Sequence, residues 1–161
     1  MRVCLIIPPS PFLLDERVFV QLGILKIASV LEQHNYTVDM IDLSGVENYT
    51  DVLTDYAKRE ERADIFGVTA TTPQVPYAVK ISQHLKALLP GKQSKVILGG
   101  PHVTLMHTAA KRETKKNLVG SDRATKDIEA LKNFFDVLVC GDGEIAIFDA
   151  IHEDIKVIDA D

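Results

Sequence analysis

Short apolar runs alternate with longer segments of helical periodicity along nearly the whole chain. Five of the runs have the length and composition of buried strands. They cover residues 2–7, 37–42, 65–69, 95–98 and 136–139. Helical spacing of apolar residues predicts helices over 22–31, 49–57, 75–89 and 144–152. Short strands that alternate with helices of about ten to fifteen residues indicate βαβ units, and therefore a parallel sheet.

Five strands of this kind fit an α/β fold of the flavodoxin-like (Rossmann-like) type, a doubly wound parallel sheet in the order 2-1-3-4-5. The chain has 161 residues, which is the size of a single domain, so we expect one domain over 1–161. The stretch 107–127 breaks the alternation because it is polar and charged. There we expect a mobile insertion, either a long exposed loop or a loop with a partial helix that leads into Ile128.

Charge and hydropathy exclude several classes of partner. The net charge is −5, from 18 basic and 23 acidic side chains, so the basic surplus of a nucleic-acid-binding protein is missing. No apolar run approaches the roughly 20 residues of a membrane span, and the first one is too short for a signal peptide. Cys4 and Cys140 each lie in an apolar run, which predicts buried free thiols. We expect a soluble cytoplasmic protein with no nucleic-acid or membrane partner.

In an open parallel sheet, ligands bind where the strands end. The predicted strands are followed by four loops at one edge of the sheet, with the sequences PPSP, TATTPQ, GGPHVT and GDGE. Gly99 and Gly100 leave room for a ligand close to the backbone, and the threonines offer uncharged hydroxyl groups. None of the loops contains lysine or arginine, and the phosphate-binding motifs GxxxxGK[ST] and GxGxxG are absent. The loops therefore favour a large, mostly neutral ligand.

Each loop also has a purely structural explanation. Prolines after the first strand and glycines after the fifth are ordinary turn residues. His102 could cap the segment that follows it, and Glu144 suits the first turn of a helix. No two histidines have the spacing of metal ligands, and no nucleophile–base pair can be identified. The sequence therefore predicts no catalytic residue and no metal ligand.

Six segments resemble, in the same order, the cobalamin-binding domain that precedes the catalytic barrel in many radical S-adenosylmethionine enzymes. The first three are RVCLIIPP, LGILKIASVL and VDMID, and the last three are GVTATTPQ, GGPHVT and VCGDGE. Together they cover nearly the whole chain, and their common order is more specific than any one of them alone. The resemblance implies that the cofactor is cobalamin, a cobalt corrinoid also known as vitamin B12.

The resemblance also implies where the cofactor lies. Thr69, Thr72, Gly99 and Gly100 correspond to residues that line the slot for the cobalamin nucleotide tail. The GDGE loop corresponds to one beside the edge of the corrin, with Asp142 where the family usually has glutamate. The candidate cofactor-binding residues are Pro8, Pro9, Thr69, Thr71, Thr72, Pro73, Gln74, Gly99, Gly100, Pro101, His102, Val103, Thr104, Gly141, Asp142, Gly143 and Glu144.

Two motifs of related proteins are absent from the sequence. DxHxxG, which places a histidine on cobalt in other cobalamin carriers, does not occur. Its absence implies that cobalamin binds in base-off form without a histidine lower ligand, as in the radical-enzyme type. CxxxCxxC is also absent, and two cysteines cannot hold the iron–sulfur cluster of a radical enzyme. We therefore expect a cofactor-binding module, stand-alone or excised from a longer protein, with no catalytic centre of its own.

Two other functions remain open. The chain could be a subunit that delivers a methyl group or an electron from cobalt to the separate catalytic chain of a radical S-adenosylmethionine methyltransferase. It could also be a degenerate flavodoxin-like ligand-binding or signalling domain that binds a flavin or nothing. Whether the chain takes part in an enzyme is not decided by its sequence.

Overall fold

The computed structural model describes residues 1–116 and 122–160. Within them, six parallel strands form one sheet in the order β2-β1-β3-β4-β5-β6. The strands are β1 (Arg2–Ile7), β2 (Thr37–Asp42), β3 (Ile65–Thr69), β4 (Lys95–Gly99), β5 (Val137–Gly141) and β6 (Val157–Ala160). The predicted flavodoxin-like order is confirmed for the first five strands, but the count of five is wrong. The sixth strand escapes sequence reasoning because it has only four residues, with a charged Asp159 among them.

Six α-helices connect the strands. They are α1 (Leu22–Gln33), α2 (Tyr49–Ala57), α3 (Val75–Leu88), α4 (Pro101–Lys116), α5 (Arg123–Leu131) and α6 (Gly143–His152). The four predicted helices are present as α1, α2, α3 and α6. Among the described residues none of these helices is both long enough and apolar enough to span a membrane.

The expected insertion at 107–127 is mostly helical. Helix α4 continues to Lys116 and α5 begins at Arg123. Of the two alternatives, the long loop is therefore absent from the described part of this stretch, and a helix does lead into Ile128. Alanine, lysine, arginine and glutamate dominate the second half of α4, and these residues favour helix even where the apolar pattern is weak. Residues 117–121 of this stretch lie outside the described residues. The mobility of the segment stays a prediction.

Glu113 joins α4 to the start of α5. Its carboxylate accepts hydrogen bonds from the Thr125 hydroxyl at 2.7 Å and from the N–H groups of Thr125 and Ala124 at 3.0 and 3.1 Å. These bonds, that from the Thr125 hydroxyl above all, hold the pKa of Glu113 below its ordinary value. The two helices are thus tied together on both sides of residues 117–121.

The two faces of the sheet are covered differently. Successive side chains of a strand point to opposite faces. On one face, which we call the closed face, α2, α3, α4 and α5 pack on large side chains of the central strands, among them Phe66, Val68, Val96 and Leu98. On the other, which we call the open face, α1 and α6 cover the sheet. There the same two strands present Gly67, Thr69, Ile97 and Gly99.

Both cysteines lie in the core of the closed face, as free buried thiols, which confirms the prediction. Burial raises the pKa of the Cys4 thiol to about 12, mainly by removing it from water. A thiol with so high a pKa is not a nucleophile at neutral pH. Cys4 therefore contributes to packing.

Candidate cofactor-binding site

A cavity of about 240 Å³ lies on the open face, between the sheet and the N-terminal turns of α1 and α6. Its lining is mostly apolar, and among the described residues Glu144 is the charged side chain in it. Its floor comes from Leu5, Gly67, Val68, Thr69, Ile97, Gly99 and Val139. Its walls come from Gln21, Gly23, Ile24, Ile27, Gly100, Pro101, Gly141, Gly143, Glu144 and Ile147.

Two of the residues that form the floor of the cavity, Gly67 and Gly99, have no side chain. A Cβ atom on Gly67 would lie 2.8 Å from Leu5 Cδ2, so a side chain there would require Leu5 to shift. A Cβ atom on Gly99 would meet only Val139, at 3.9 Å, so a side chain there would project into free space. Drug-sized ligands usually occupy pockets of about 300–1000 Å³. The cavity therefore suits one ring system of a larger ligand, whose remainder would stay outside.

Gly100 has a different role from Gly99. Its φ of +98° is in the region that favours glycine, and a Cβ atom would lie 2.6 Å from Thr69 Oγ1 and 2.9 Å from the nitrogen of Ala70. Ala70 in turn donates its N–H to the carbonyl of Gly99 and accepts the N–H of His102, both at 3.1 Å. Gly100 is thus required by the close contact between the loops that follow β3 and β4.

The predicted site residues divide into two groups. Some line the cavity, namely Thr69, Gly99, Gly100, Pro101, Gly141, Gly143 and Glu144. The others do not, namely Pro8, Pro9, Thr71, Thr72, Pro73, Gln74, His102, Val103, Thr104 and Asp142. Several residues of the second group have structural contacts that hold the loops of this edge together.

Gln74 connects the loop after β1 to the loop after β3. Its buried amide donates hydrogen bonds to the carbonyl of Pro8 at 3.1 Å and to Ser10 Oγ at 2.8 Å. Its carbonyl oxygen accepts the N–H of Thr71 at 3.0 Å. With both ends of the amide bonded inside the protein, Gln74 positions the loop around it.

Thr104 and Val103 stabilise the first turns of α4. The Thr104 hydroxyl donates to the carbonyl of Gly100 at 3.3 Å and accepts the N–H of Gly141 at 3.1 Å. Val103 is fully buried in the core of the closed face. Thr104 therefore links the ends of β4 and β5, and Val103 anchors the first turn of α4 in the core.

His102 is 5% exposed and both of its ring nitrogens have partners. Nδ1 lies 3.0 Å from the hydroxyl oxygen of Thr72, and Nε2 lies 2.8 Å from Asp127 Oδ2. With both nitrogens engaged, His102 has no free lone pair for a metal. Among the described residues, no group of three or more histidine, cysteine or acidic side chains could hold a metal ion.

The two acids of the GDGE loop influence each other's pKa. A hydrogen bond to the Glu144 carboxylate raises the pKa of Asp142, and the same bond lowers the pKa of Glu144. Lys26 of α1 adds to the second effect, because its Nζ lies 3.4 Å from Glu144 Oε1. The pKa values of the two carboxyl groups are therefore moved apart.

Sequence reasoning missed the walls of the cavity that come from α1 and most of the floor, of which it identified only Thr69 and Gly99. Ile24, Ile27 and Ile97 have the pattern of ordinary core residues, which cannot be distinguished from cavity lining by sequence alone. Gly67 did carry a signal. A glycine inside a buried strand often marks a close approach by a ligand or another backbone.

An exposed apolar strip follows the loop after β1. We give this name to Phe12, Leu13, Leu14, Val18, Phe19, Val20 and Leu22, all of which are exposed. The loop is nonetheless anchored, because the Glu16 carboxylate accepts the N–H groups of Ser10 at 2.7 Å and Gly45 at 2.6 Å. The strip surrounds Gln21, which lines the cavity. Contiguous exposed apolar surface of this kind is typical of an interaction site.

Comparison with known proteins gave one match. A family model described as the B12 binding domain matches residues 16–122, which is more than half of the chain. The matched part contains α1, the strands that carry Gly67 and Gly99, and the relation of His102 to Thr72. No curated protein and no solved structure gave a match.

Proposed function

The chain belongs to the family of B12-binding domains, whose cofactor is cobalamin, and we propose that it holds this cofactor in base-off form without a histidine lower ligand. The cavity of the open face carries the proposal. Its apolar lining and glycine floor fit the flat, uncharged benzimidazole of the nucleotide tail. The corrin, which is too large for about 240 Å³, would then lie outside at the ends of the strands.

The engagement of His102 supports the absence of a histidine ligand. It directly follows the Gly99–Gly100–Pro101 turn, at the edge where the corrin would lie. Thr72 and Asp127 bond both of its ring nitrogens, and the imidazole is buried. Ligation of cobalt would require one of these two hydrogen bonds to break. When bound, cobalamin would supply methyl-transfer or one-electron chemistry, while the residues of this chain bind and orient it.

A comparison of two corrinoids tests the proposal. Cobinamide has the corrin but lacks the nucleotide tail, so burial of the tail predicts that cobalamin binds at least about tenfold more tightly, as judged by isothermal titration. Electron paramagnetic resonance of the cobalt(II) form should lack nitrogen splitting from an axial ligand. Equal affinity for the two corrinoids, or a nitrogen-split signal that disappears in His102→Ala, would refute this binding mode. A protein that retains no corrinoid would favour the degenerate domain.

We propose that the module, which has no catalytic centre of its own, acts in the cytoplasm. Both cysteines are free thiols, which is usual in a reducing compartment. Its role as a stand-alone or excised carrier rests on the absence of cluster-binding cysteines in the sequence. Such a carrier needs a second protein, or a further domain, to use the cofactor.

The apolar strip favours a separate radical S-adenosylmethionine chain as that second protein. The strip continues into the wall of the cavity at Gln21, so a chain docked on it would also cover the cofactor. The three charged residues between Leu14 and Val18 have hydrogen bonds within the protein. Asp15 accepts the N–H of Arg17, Glu16 accepts two backbone N–H groups, and Arg17 Nε donates to the carbonyl of Ser44. The strip therefore suits an apolar surface of the partner.

Co-sedimentation with a purified radical S-adenosylmethionine methyltransferase chain tests the docking. We expect Phe19→Ser to weaken the complex about tenfold or more, because exposed aromatic residues are common anchors of interfaces. Leu105→Ser is the matched control, as Leu105 is an exposed leucine of α4 outside the strip. Equal weakening by both variants, or by neither, would contradict a role of the strip.

A further inference from the structure

Thr72, His102 and Asp127 form a chain of hydrogen bonds at the edge of the sheet. They come from three separate elements, namely the turn after β3, the first turn of α4 and the middle of α5. The Thr72 oxygen lies 3.0 Å from His102 Nδ1, and Asp127 Oδ2 lies 2.8 Å from His102 Nε2. Thr72 is exposed, whereas the imidazole behind it is buried. The chain thus connects a half-buried carboxylate, through a buried imidazole, to a hydroxyl at the surface.

The carboxylate fixes the direction of every hydrogen bond in this chain. An ionised carboxylate only accepts hydrogen bonds, so Nε2 of His102 carries the proton that it donates to Asp127. In the neutral imidazole Nδ1 is then an acceptor, and the Thr72 hydroxyl donates to it. The hydroxyl proton therefore points inward. The lone pairs of the Thr72 oxygen face the solvent side, where a ligand would find an acceptor.

A second threonine–histidine pair in the molecule has the opposite polarity. The Thr54 hydroxyl donates to the carbonyl of Thr50 at 2.9 Å, so it must accept from His84 Nε2, which lies 2.8 Å away. This pair connects α2 and α3, away from the sheet edge. The acceptor character of Thr72 is therefore set by Asp127 and does not follow from a threonine beside a histidine.

We propose that Asp127 and His102 are positioning residues that hold Thr72 as a hydrogen-bond acceptor for a carboxamide N–H on the rim of the bound corrinoid, and so select carboxamides over carboxylates. The inference rests on the proposed cobalamin binding. A carboxamide has N–H groups to donate, whereas a carboxylate at the same place would face the oxygen lone pairs of Thr72. The loops after β3 and β4 contain no lysine or arginine that could neutralise such a carboxylate.

Cobalamin monocarboxylic acids test the selection, because each isomer has one peripheral carboxamide hydrolysed to a carboxylate. Dissociation constants of cobalamin and of each isomer are measured by titration at about pH 8, where an ordinary imidazole is neutral. For the natural chain we expect one isomer to bind about tenfold or more weakly than cobalamin. In Thr72→Val this discrimination should fall to about twofold or less, and Thr72→Ser should restore it.

Asp127→Asn separates positioning from mere structural support. The asparagine amide can donate to Nε2, which shifts the imidazole proton to Nδ1, as happens when the aspartate of a catalytic triad becomes asparagine. Nδ1 would then donate to Thr72, and the hydroxyl proton would point to the ligand. We expect the discrimination against the carboxylate isomer to disappear or reverse in this variant. A structural role alone would weaken the binding of both ligands equally.

The possible results distinguish a failure of the selection by Thr72 from a failure of cobalamin binding itself. His84→Ala, in the second threonine–histidine pair, should leave the discrimination unchanged. If the natural chain binds cobalamin and all isomers with equal affinity, or if Thr72→Val keeps the discrimination, the selection by Thr72 is refuted while cobalamin binding stands. If Asp127→Asn does not fold, the two Thr72 variants still decide the question. If the natural chain binds no corrinoid, the proposed function itself fails, and the inference fails with it.

Discussion

The two faces of the sheet use the same strands for different purposes. On the closed face, four helices pack on Phe66, Val68, Val96 and Leu98, all of which are buried. On the open face, two helices cover side chains of the same strands that include Gly67 and Gly99, and the cavity remains between them. A binding site therefore arises here where a strand replaces large side chains by glycine on one face only.

The alternation of side chains in a strand makes this possible at little cost to stability. A glycine on the open face leaves its neighbours on the closed face unchanged, so the core continues without interruption under the cavity. The polar groups of the closed face are also bonded internally. Tyr56 donates its hydroxyl to Asp39 at 2.6 Å and accepts the N–H of Ala63 at 2.9 Å. Among the described residues, no buried side-chain nitrogen or oxygen lacks a partner.

Two neighbouring residues of β4 provide the strongest test of the comparison. Leu98→Ala, on the closed face, should lower the free energy of unfolding by about 2–5 kcal/mol, because it leaves a cavity in a packed core. Ile97→Ala, on the open face, should lower it less, because the isoleucine already borders empty space. Urea unfolding of both variants measures the difference. Equal losses would mean that the two faces are equally packed.

Gly100→Val tests the close contact between the loops that follow β3 and β4, at the edge of the sheet. The positive φ costs a side chain about 1–2 kcal/mol, and the contact with Ala70 adds about 1–3 kcal/mol of overpacking. We expect a lower melting temperature in the protein without cofactor, by roughly 4–20 °C for a chain of this size. A melting temperature close to that of the natural chain would show that the loop can move aside and that Gly100 serves the ligand alone.

Gly99→Val should change binding and leave stability nearly unchanged. Its Cβ atom has room, and the two methyl groups would occupy the cavity that the nucleotide tail needs. We expect the affinity for cobalamin to fall about tenfold to a hundredfold. The affinity for cobinamide, which has no tail, serves as the internal control and should not change. Loss of both affinities together would place the corrin, rather than the tail, against Gly99.

The sequence predicted most of the sheet and one side of the site. Strong apolar runs and their spacing identified five strands and four helices, because burial on both faces leaves a clear signal. The short strand β6 and the polar second half of α4 gave no such signal. At the site, glycine and loop composition pointed to Gly99, Thr69 and the GDGE loop. The contribution of α1 depends on how two helices approach each other over the sheet, which no local pattern encodes.

The different roles of Gly99 and Gly100 could not be predicted from the sequence. Both follow a buried strand, and both line the cavity. Only the backbone angle and the neighbours of each missing Cβ atom separate the residue that leaves space from the one that permits a turn. For the same reason the sequence could not show that Thr72 and Asp127 contact the two ring nitrogens of His102.

The smallest effect on stability is expected from the interaction between Asp142 and Glu144 at the mouth of the cavity. The raised pKa of Asp142 means that the folded chain binds the proton of this carboxyl group more tightly than the unfolded chain, so its contribution to stability is present at acid pH and is lost as the pH rises through the raised pKa. Glu144, with a lowered pKa, contributes in the opposite sense, and this contribution is lost as the pH falls through its lowered value.

Asp142→Asn replaces the titratable carboxyl group of Asp142 by an amide, which has N–H groups to donate at every pH. At acid pH, where Asp142 is protonated, the variant and the natural chain should melt at the same temperature. Toward neutral pH the natural chain loses the contribution of Asp142 while the variant does not, so the variant should melt slightly higher. Glu144→Gln removes the second carboxylate, and in that background Asp142→Asn should have no pH-dependent effect. A melting difference that is the same at every pH would show that the two carboxyl groups titrate independently and do not shift each other's pKa.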